Sequence, residues 1–297
     1  MSKFLILGFR GFIGTRLCQK LTKEGIDFVG YDLQDGDDVR DKFKLDKIIE
    51  SGQFDMVVHL AAQAGVRRGE DFPDEFISMN IQGTQNVVNA CKKHGVRKIL
   101  FYSSSSVLGG NDEPDQVGLD EMNEYNPKSI YAMTKVAGEC IVKNSGLDYL
   151  IIRPFTVYGE NGRPDMVIYK WINQIKAGRP ITFYGDGKTK RGYTYVQDLV
   201  DATITLAKMK SEDKDMPGIL HLGGSEIITL AEVLQLFDNH CKKNNIEYFV
   251  DEQDMPKADV TSSFACIDEA REAIGFEPQK RFKNLIKQIL NEELKGD

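Results

Sequence analysis

The chain of 297 residues has little of what marks several protein classes. Its five cysteines, at 18, 91, 140, 241 and 266, are scattered and odd in number, and no Cys-x-x-Cys occurs. This argues against a disulfide framework and against zinc-ribbon chemistry, and a reducing cytoplasm is the expected compartment. The four histidines, at 59, 94, 221 and 240, show no metal-ligand spacing, so no metal is expected. No apolar run is long enough to cross a bilayer. The opening run Phe4–Leu7 is too short for the core of a signal peptide. A long basic run is also missing and the net charge is −7, so neither a nucleic acid nor a membrane is expected as a partner.

What is present is alternation. The runs Phe4–Leu7, Phe28–Tyr31, Met56–Leu60, Lys98–Tyr102 and Tyr149–Ile152 read as buried parallel strands. Helical patterns at about 12–24, 41–51, 72–94 and 129–145 separate them. Strand–helix alternation predicts an α/β fold, with a doubly wound parallel sheet and right-handed crossovers. After residue 154 the pattern loosens. Helices are predicted near 166–177, 195–210, 229–242 and 281–294, and short strands near 181–183, 219–222 and 246–250. The charged stretch from Met209 to Pro217-Gly218 reads as an exposed loop.

Gly8-Phe9-Arg10-Gly11-Phe12-Ile13-Gly14 directly follows the first strand and opens the first helix. This is the setting a dinucleotide-binding turn requires. Gly8 permits the tight turn, Gly11 lets backbone approach a pyrophosphate, and Gly14 permits close packing of helix on sheet. The helix start offers N–H donors and a positive dipole end. Asp32 closes the second strand, where a carboxylate accepts hydrogen bonds from both adenosine ribose hydroxyls and repels a 2′-phosphate. NAD is therefore the expected cofactor, with Arg10 in the loop keeping an NADP reading open. These features make the predicted sheet a Rossmann-type one. The expected organisation is an NAD-binding domain over 1–160 and a smaller C-terminal α/β substrate-binding lobe over 161–297, with some segments of the latter returning to the first domain.

Tyr131 and Lys135 lie four residues apart within helix formers, on one face of the helix over 129–145. A lysine cation beside a tyrosine favours the phenolate, which makes a general base usable near neutral pH. A second Tyr-x-x-x-Lys, Tyr184 to Lys188, contains two glycines and reads as a turn. The serine cluster Ser103–Ser106 follows the fourth predicted strand and offers hydroxyls beside the tyrosine.

These motifs, together with His59-Leu60-Ala61-Ala62, Asn80-Ile81-Gln82-Gly83-Thr84 and Arg153-Pro154-Phe155-Thr156-Val157-Tyr158-Gly159, run in one order along nearly the whole chain. In this the chain resembles the extended short-chain dehydrogenase/reductase family, in its branch of nucleotide-sugar epimerases and dehydratases. It is most similar to the UDP-glucuronate 4-epimerases, through His59–Arg67, Asn126–Tyr131 and Thr156–Met166. The resemblance implies NAD as cofactor and a UDP-sugar as substrate, most closely UDP-glucuronate, epimerised at carbon 4. It implies Tyr131 as base, Ser104 and Ser106 as hydroxyls sharing the proton path, and Lys135 on the nicotinamide ribose. Asp38 and Val39 would meet adenine, and Leu60, Ala61 and Ala62 would join Gly8, Gly11, Phe12, Ile13, Gly14 and Asp32 around the cofactor. Thr156 and Arg163 would face the sugar, the arginine meeting a carboxylate. Asn80 would lie near cofactor or sugar, or serve as a helix-interior polar residue. Arg191 would meet the diphosphate, or belong to a solvated charge run over 188–191. Family dimers commonly pair two long helices per subunit, so 72–94 and 129–145 imply a homodimer.

Two departures from the family pattern stand out. Leu108 replaces a tyrosine, and Glu160-Asn161 replaces a proline–tryptophan pair, adding a carboxylate beside the expected carboxylate site. The alternatives within enzymes are a UDP-glucose or UDP-N-acetylglucosamine 4-epimerase, whose neutral hexose gives Arg163 no partner, and a dehydratase or decarboxylase. Dehydratases carry an acidic pair after the catalytic hydroxyl, where this chain has Ser105 and Ser106. A non-catalytic NAD-binding regulator is the alternative from another class.

Overall fold

The computed structural model describes residues 3–111, 118–209, 218–256, 258–279 and 282–295. The predicted doubly wound sheet is present. Strands β1 (Lys3–Leu7), β2 (Asp27–Tyr31), β3 (Met56–His59), β4 (Lys98–Tyr102), β5 (Asp148–Pro154) and β6 (Ile219–Leu222) form one sheet in the order β6-β5-β4-β3-β1-β2. Every neighbouring pair in it is parallel. Strand β1 shows why the sheet is covered on both faces. Phe4 and Ile6 enter one apolar cluster while Leu5 and Leu7 enter another, because successive side chains point to opposite faces of a strand.

Helices α1 (Phe12–Lys23), α2 (Lys42–Gly52), α3 (Gly83–His94) and α4 (Ile130–Lys143) follow these strands. Leu17 and Leu21 of α1 close one face, and Leu45, Ile49, Val87 and Val142 close the other. Residue Ser129 caps α4, its hydroxyl accepting the Ala132 N–H at 3.1 Å. A Ser or Asp at this position typically adds about 1 kcal/mol.

The helix expected over 72–94 is present from Pro73 to His94, with a π-helical turn inside it. A separate short helix, Val66–Asp71, ends at Phe72, and Pro73–Phe76 then continues through a π-helical turn at Ile77–Gln82 into α3. Pro73 lacks an N–H and so starts a helix where it cannot continue one.

Past β5 the chain divides between two bodies. Helices α5 (Val167–Lys176), α7 (Leu230–Lys243) and α9 (Phe282–Glu293) pack around Trp171, Phe237 and Phe282. Strand β6 and helices α6 (Val196–Lys208) and α8 (Asp268–Ile274) return to the first body, where Leu199, Leu222 and Ala270 join the cluster of α1. The strand expected over 246–250 lies later, at Val250–Gln253, in parallel with Ile181–Tyr184. Residues Ile246 and Tyr248 pack on the lobe core, and the ladder opens only where Ile181 N–H donates to Phe249 O at 2.8 Å. Of the loop expected over 209–218, residues 210–217 lie outside the described residues.

Candidate active site

The C-terminal ends of the parallel strands open on a cavity of about 860 Å³ shared with the smaller lobe. That is the upper part of the range for small-molecule sites, and it is where open α/β sheets bind ligands. Gly8, Gly11, Phe12, Ile13 and Gly14 line it. Gly8 has φ +85°, which disfavours a side chain, and a Cβ there would lie 2.7 Å from Ala61 N. A Cβ on Gly14 would lie 2.3 Å from Gly8 O. At Gly11 the start of α1 has no side-chain cap and no acid in its first turn. The bare backbone cradle and the uncapped helix N-terminus fit a pyrophosphate.

Asp32 is buried at the end of β2. Its carboxylate accepts Arg10 N–H and Gln34 N–H, each at 2.9 Å, and so ties the glycine turn to the second strand. Each oxygen retains acceptor capacity for a ribose hydroxyl. The Arg10 guanidinium is drawn away onto Asp35 at 2.7 Å, which leaves the NADP reading without its cation. Leu60 and Ala62 line the cavity, whereas Ala61 packs its backbone beneath Gly8.

Three of the expected sites make contacts of their own within the protein. Asp38 is paired with Arg40 and Val39 is buried against Gly83, and neither lines the cavity. Asn80 is buried and does not line it either. Its amide spans Gln63 N, Gln63 O and Thr134 Oγ1 at 2.7, 3.0 and 2.9 Å, so it pins the loop after β3 to α4 and has no group aimed at a ligand. The third concerns Lys135, whose ammonium donates to Tyr102 O at 2.7 Å and lies 5.1 Å from the centre of the Phe101 ring. Burial pulls its pKa down to about 7, partly opposed by Glu139. Lys135 lines the same cavity as Tyr131, one helical turn away.

Tyr131 lines the cavity edge-on to Phe76. Burial raises its pKa, while the Arg163 cation and a hydrogen bond with Ser104 lower it and Asp165 raises it. Ser104 accepts from Ser106 Oγ at 2.9 Å and from Ser106 N at 3.2 Å, so the two hydroxyls form a chain leading to the phenol. Thr156 lines the cavity just past β5. Arg163 also lines it and forks Asp165, from Nε at 3.0 Å and Nη2 at 2.6 Å. Arg191 lines the opposite lobe, its guanidinium held on the carbonyls of Lys190 and Val260 at 2.8 Å. Glu160, the added carboxylate, turns to the Tyr195 hydroxyl at 3.2 Å and is not on the cavity wall.

Sequence reasoning missed the group behind this wall. Glu139 accepts from Ser103 Oγ at 2.5 Å, Tyr125 OH at 2.7 Å, and Arg153 Nε and Nη2 at 2.9 and 2.8 Å. Its signal was the spacing, since Tyr131, Lys135 and Glu139 recur every four residues along one helix face. Among the described residues no cluster of His, Cys, Asp and Glu could hold a metal ion.

A doubly wound sheet whose glycine turn and helix N-terminus share a cavity with a serine–tyrosine hydroxyl chain defines a dinucleotide-binding enzyme. The model of the NAD dependent epimerase/dehydratase family matches residues 4–223, and the chain belongs to that family. It is 32% identical over 321 residues to a UDP-glucuronate 4-epimerase of Thermodesulfobacterium geofontis, covering 98% of this chain and 96% of that one. The structure of MoeE5 in complex with UDP-glucuronic acid and NAD superposes with a TM-score of 0.87 at 27% identity, over 99% of this chain and 100% of that one. The UDP-glucuronic acid 4-epimerase of Bacillus cereus, in complex with UDP-glucuronic acid and NAD, does so with a TM-score of 0.86 at 27% identity, over 98% and 99%.

Proposed function

We propose that the protein is an NAD-dependent epimerase acting at carbon 4 of a UDP-sugar, converting UDP-glucuronate to UDP-galacturonate through a transient 4-keto sugar. The observation that carries this is the placement of Arg163 on the cavity wall, within electrostatic reach of Tyr131. A planar guanidinium is the group suited to a carboxylate, and the sugar carboxylate of a uronate lies next to the carbon whose hydroxyl the tyrosine would serve. NAD, when bound against Gly8, Gly11, Phe12, Ile13, Gly14, Asp32, Leu60 and Ala62, supplies the hydride acceptor and donor.

Tyr131 takes the proton of the 4-hydroxyl and returns it. Ser104 orients that hydroxyl, and Ser106 holds Ser104. Lys135, a buried amine one helical turn from Tyr131, binds the nicotinamide ribose. Thr156 and Arg163 hold the carboxylate, which keeps its bond to carbon out of line with the 4-keto π system and so suppresses decarboxylation. Arg191 meets the diphosphate. Segments Leu60–Ala62 and Asp38–Val39 act as walls and supports of the cofactor site.

A homodimer in the cytoplasm is the working form under this reading. Phe72, Ile77 and Met133 are large apolar side chains left exposed on and beside α4, and a partner would cover them. No described helix is long and apolar enough to cross a membrane. Light scattering of the purified protein tests the dimer.

The second reading is a neutral UDP-hexose 4-epimerase, favoured by the Asp165 carboxylate already filling the Arg163 fork. Incubation with UDP-glucuronate and NAD, followed by separation of products, decides. UDP-galacturonate without net NADH is expected. Turnover of UDP-glucose alone would replace the first reading with the second.

A further inference from the structure

The guanidinium assigned to the sugar carboxylate carries a carboxylate of its own. Asp165 takes the Nε and Nη2 edge of Arg163 at 3.0 and 2.6 Å. Both side chains lie on the cavity wall, 50% and 34% exposed, so the pair is open to a ligand. It sits against Gly65, where a Cβ would lie 3.3 Å from Asp165 Oδ2 and 3.6 Å from Arg163 Nη2. Bare backbone at 65 therefore leaves the pair room. Glu160 is turned onto Tyr195, so it does not share this role.

A guanidinium presents bidentate edges of fixed geometry. A carboxylate ligand approaching the Nε and Nη2 edge meets Asp165 in the same two-point arrangement it would itself adopt. We propose that Asp165 is a specificity-determining residue, an internal carboxylate that fills the Arg163 fork and is displaced by the carboxylate of an incoming uronate nucleotide. With a neutral sugar the pair stays closed, and with a uronate one carboxylate exchanges for another. Asp165 thereby holds down the affinity for carboxylated sugars and limits the preference for them over neutral ones. This rests on the UDP-glucuronate reading above.

The test uses the NAD-loaded protein carrying Tyr131→Phe, which prevents turnover during titration. Calorimetry gives dissociation constants for UDP-glucuronate and UDP-glucose, with and without Asp165→Asn. The expected result is that Asp165→Asn shifts the ratio of the two constants about fivefold towards UDP-glucuronate, the scale of a partly exposed ion pair. In an Arg163→Ala background the same substitution is expected to leave the ratio where it was. An unchanged ratio, or one shifted towards UDP-glucose, would show that Asp165 orients Arg163 and overturn the proposal, while turnover of UDP-glucuronate by the native protein would keep the functional reading. Failure of the native protein to turn over UDP-glucuronate would overturn both.

Discussion

Glu139 and Arg153 meet at 2.8 Å with side chains 0% and 2% exposed, and the carboxylate also holds the hydroxyls of Ser103 and Tyr125. The pair joins α4, which carries Tyr131, to β5 and to the serine segment after β4. Arg153 further contacts His221 Nε2 at 3.3 Å, so β6 is included. Removing one member of such a pair leaves a buried charge uncompensated. Glu139→Ala is expected to cost about 3–5 kcal/mol of stability. Glu139→Leu with Arg153→Met is expected to regain much of it without regaining kcat, because Ser103 would lose its anchor next to Ser104. Thermal melts together with kinetics check this, and full recovery of kcat in the double variant would show that the pair has no positioning role.

The hydroxyl chain from Ser106 through Ser104 to Tyr131 is expected to matter for rate more than for binding. Tyr131→Phe should reduce kcat by about 10²–10⁴, the range of a lost general base, and leave the folded state intact. Ser104→Ala should also reduce kcat, and Ser106→Ala less, because Ser106 acts through Ser104. Steady-state kinetics of the three variants order them, and a larger loss at Ser106 would reverse the assignment.

Gly14 has no room for a methyl group, since its Cβ would collide with Gly8 O at 2.3 Å and with Phe9 Cα at 2.8 Å. Both are backbone atoms of the turn, so the turn must open. Gly14→Ala is expected to weaken NAD binding at least tenfold while UDP-sugar contacts in the other lobe persist. Titration with NAD followed by protein fluorescence checks it, and wild-type affinity would mean that the turn adapts.

Two buried histidines predict how acid unfolds the protein. Burial and the Lys135 cation push His59 down to about 3. Burial and the Arg153 cation push His221 down to about 4, against its hydrogen bond to Leu119 O. In the unfolded chain both titrate near 6.5. Between pH 6.5 and 4 the unfolded state therefore binds protons that the folded state does not, and stability falls as pH falls, by about 1.4 kcal/mol per pH unit for each histidine. His59→Gln keeps a donor for Thr84 Oγ1, which the imidazole now meets at 3.0 Å, and cannot titrate. Its stability should fall less steeply over that window in urea melts, and an identical slope would mean that His59 is already protonated in the folded protein.

Much of the fold was legible because its signals are local. The apolar runs of β1 and β4 and the glycine turn between β1 and α1 each depend on a few adjacent residues and the period of one element. The helix over 72–94 was legible from its start beside Pro73, while the π-helical turn inside it was not. It accompanies hydrogen bonds from Asn80 to residues 17 and 54 positions away.

The sequence by itself determined the alternation that makes a doubly wound sheet, the turn that can accept a pyrophosphate, and the spacing that puts Tyr131 and Lys135 on one helix face. Only the tertiary structure decided where their polar ends go. Lys135 reaches back over Phe101 to the Tyr102 carbonyl, while Arg163, from a loop beyond β5, comes to the same cavity wall as Tyr131. It also decided which acid meets Arg163, turning Glu160 onto Tyr195 and leaving the fork to Asp165. The physical reason is range. Strand and helix periods are set by neighbouring residues, whereas a charge–charge or hydrogen-bonding partner is chosen by which elements the packed core brings within a few ångströms.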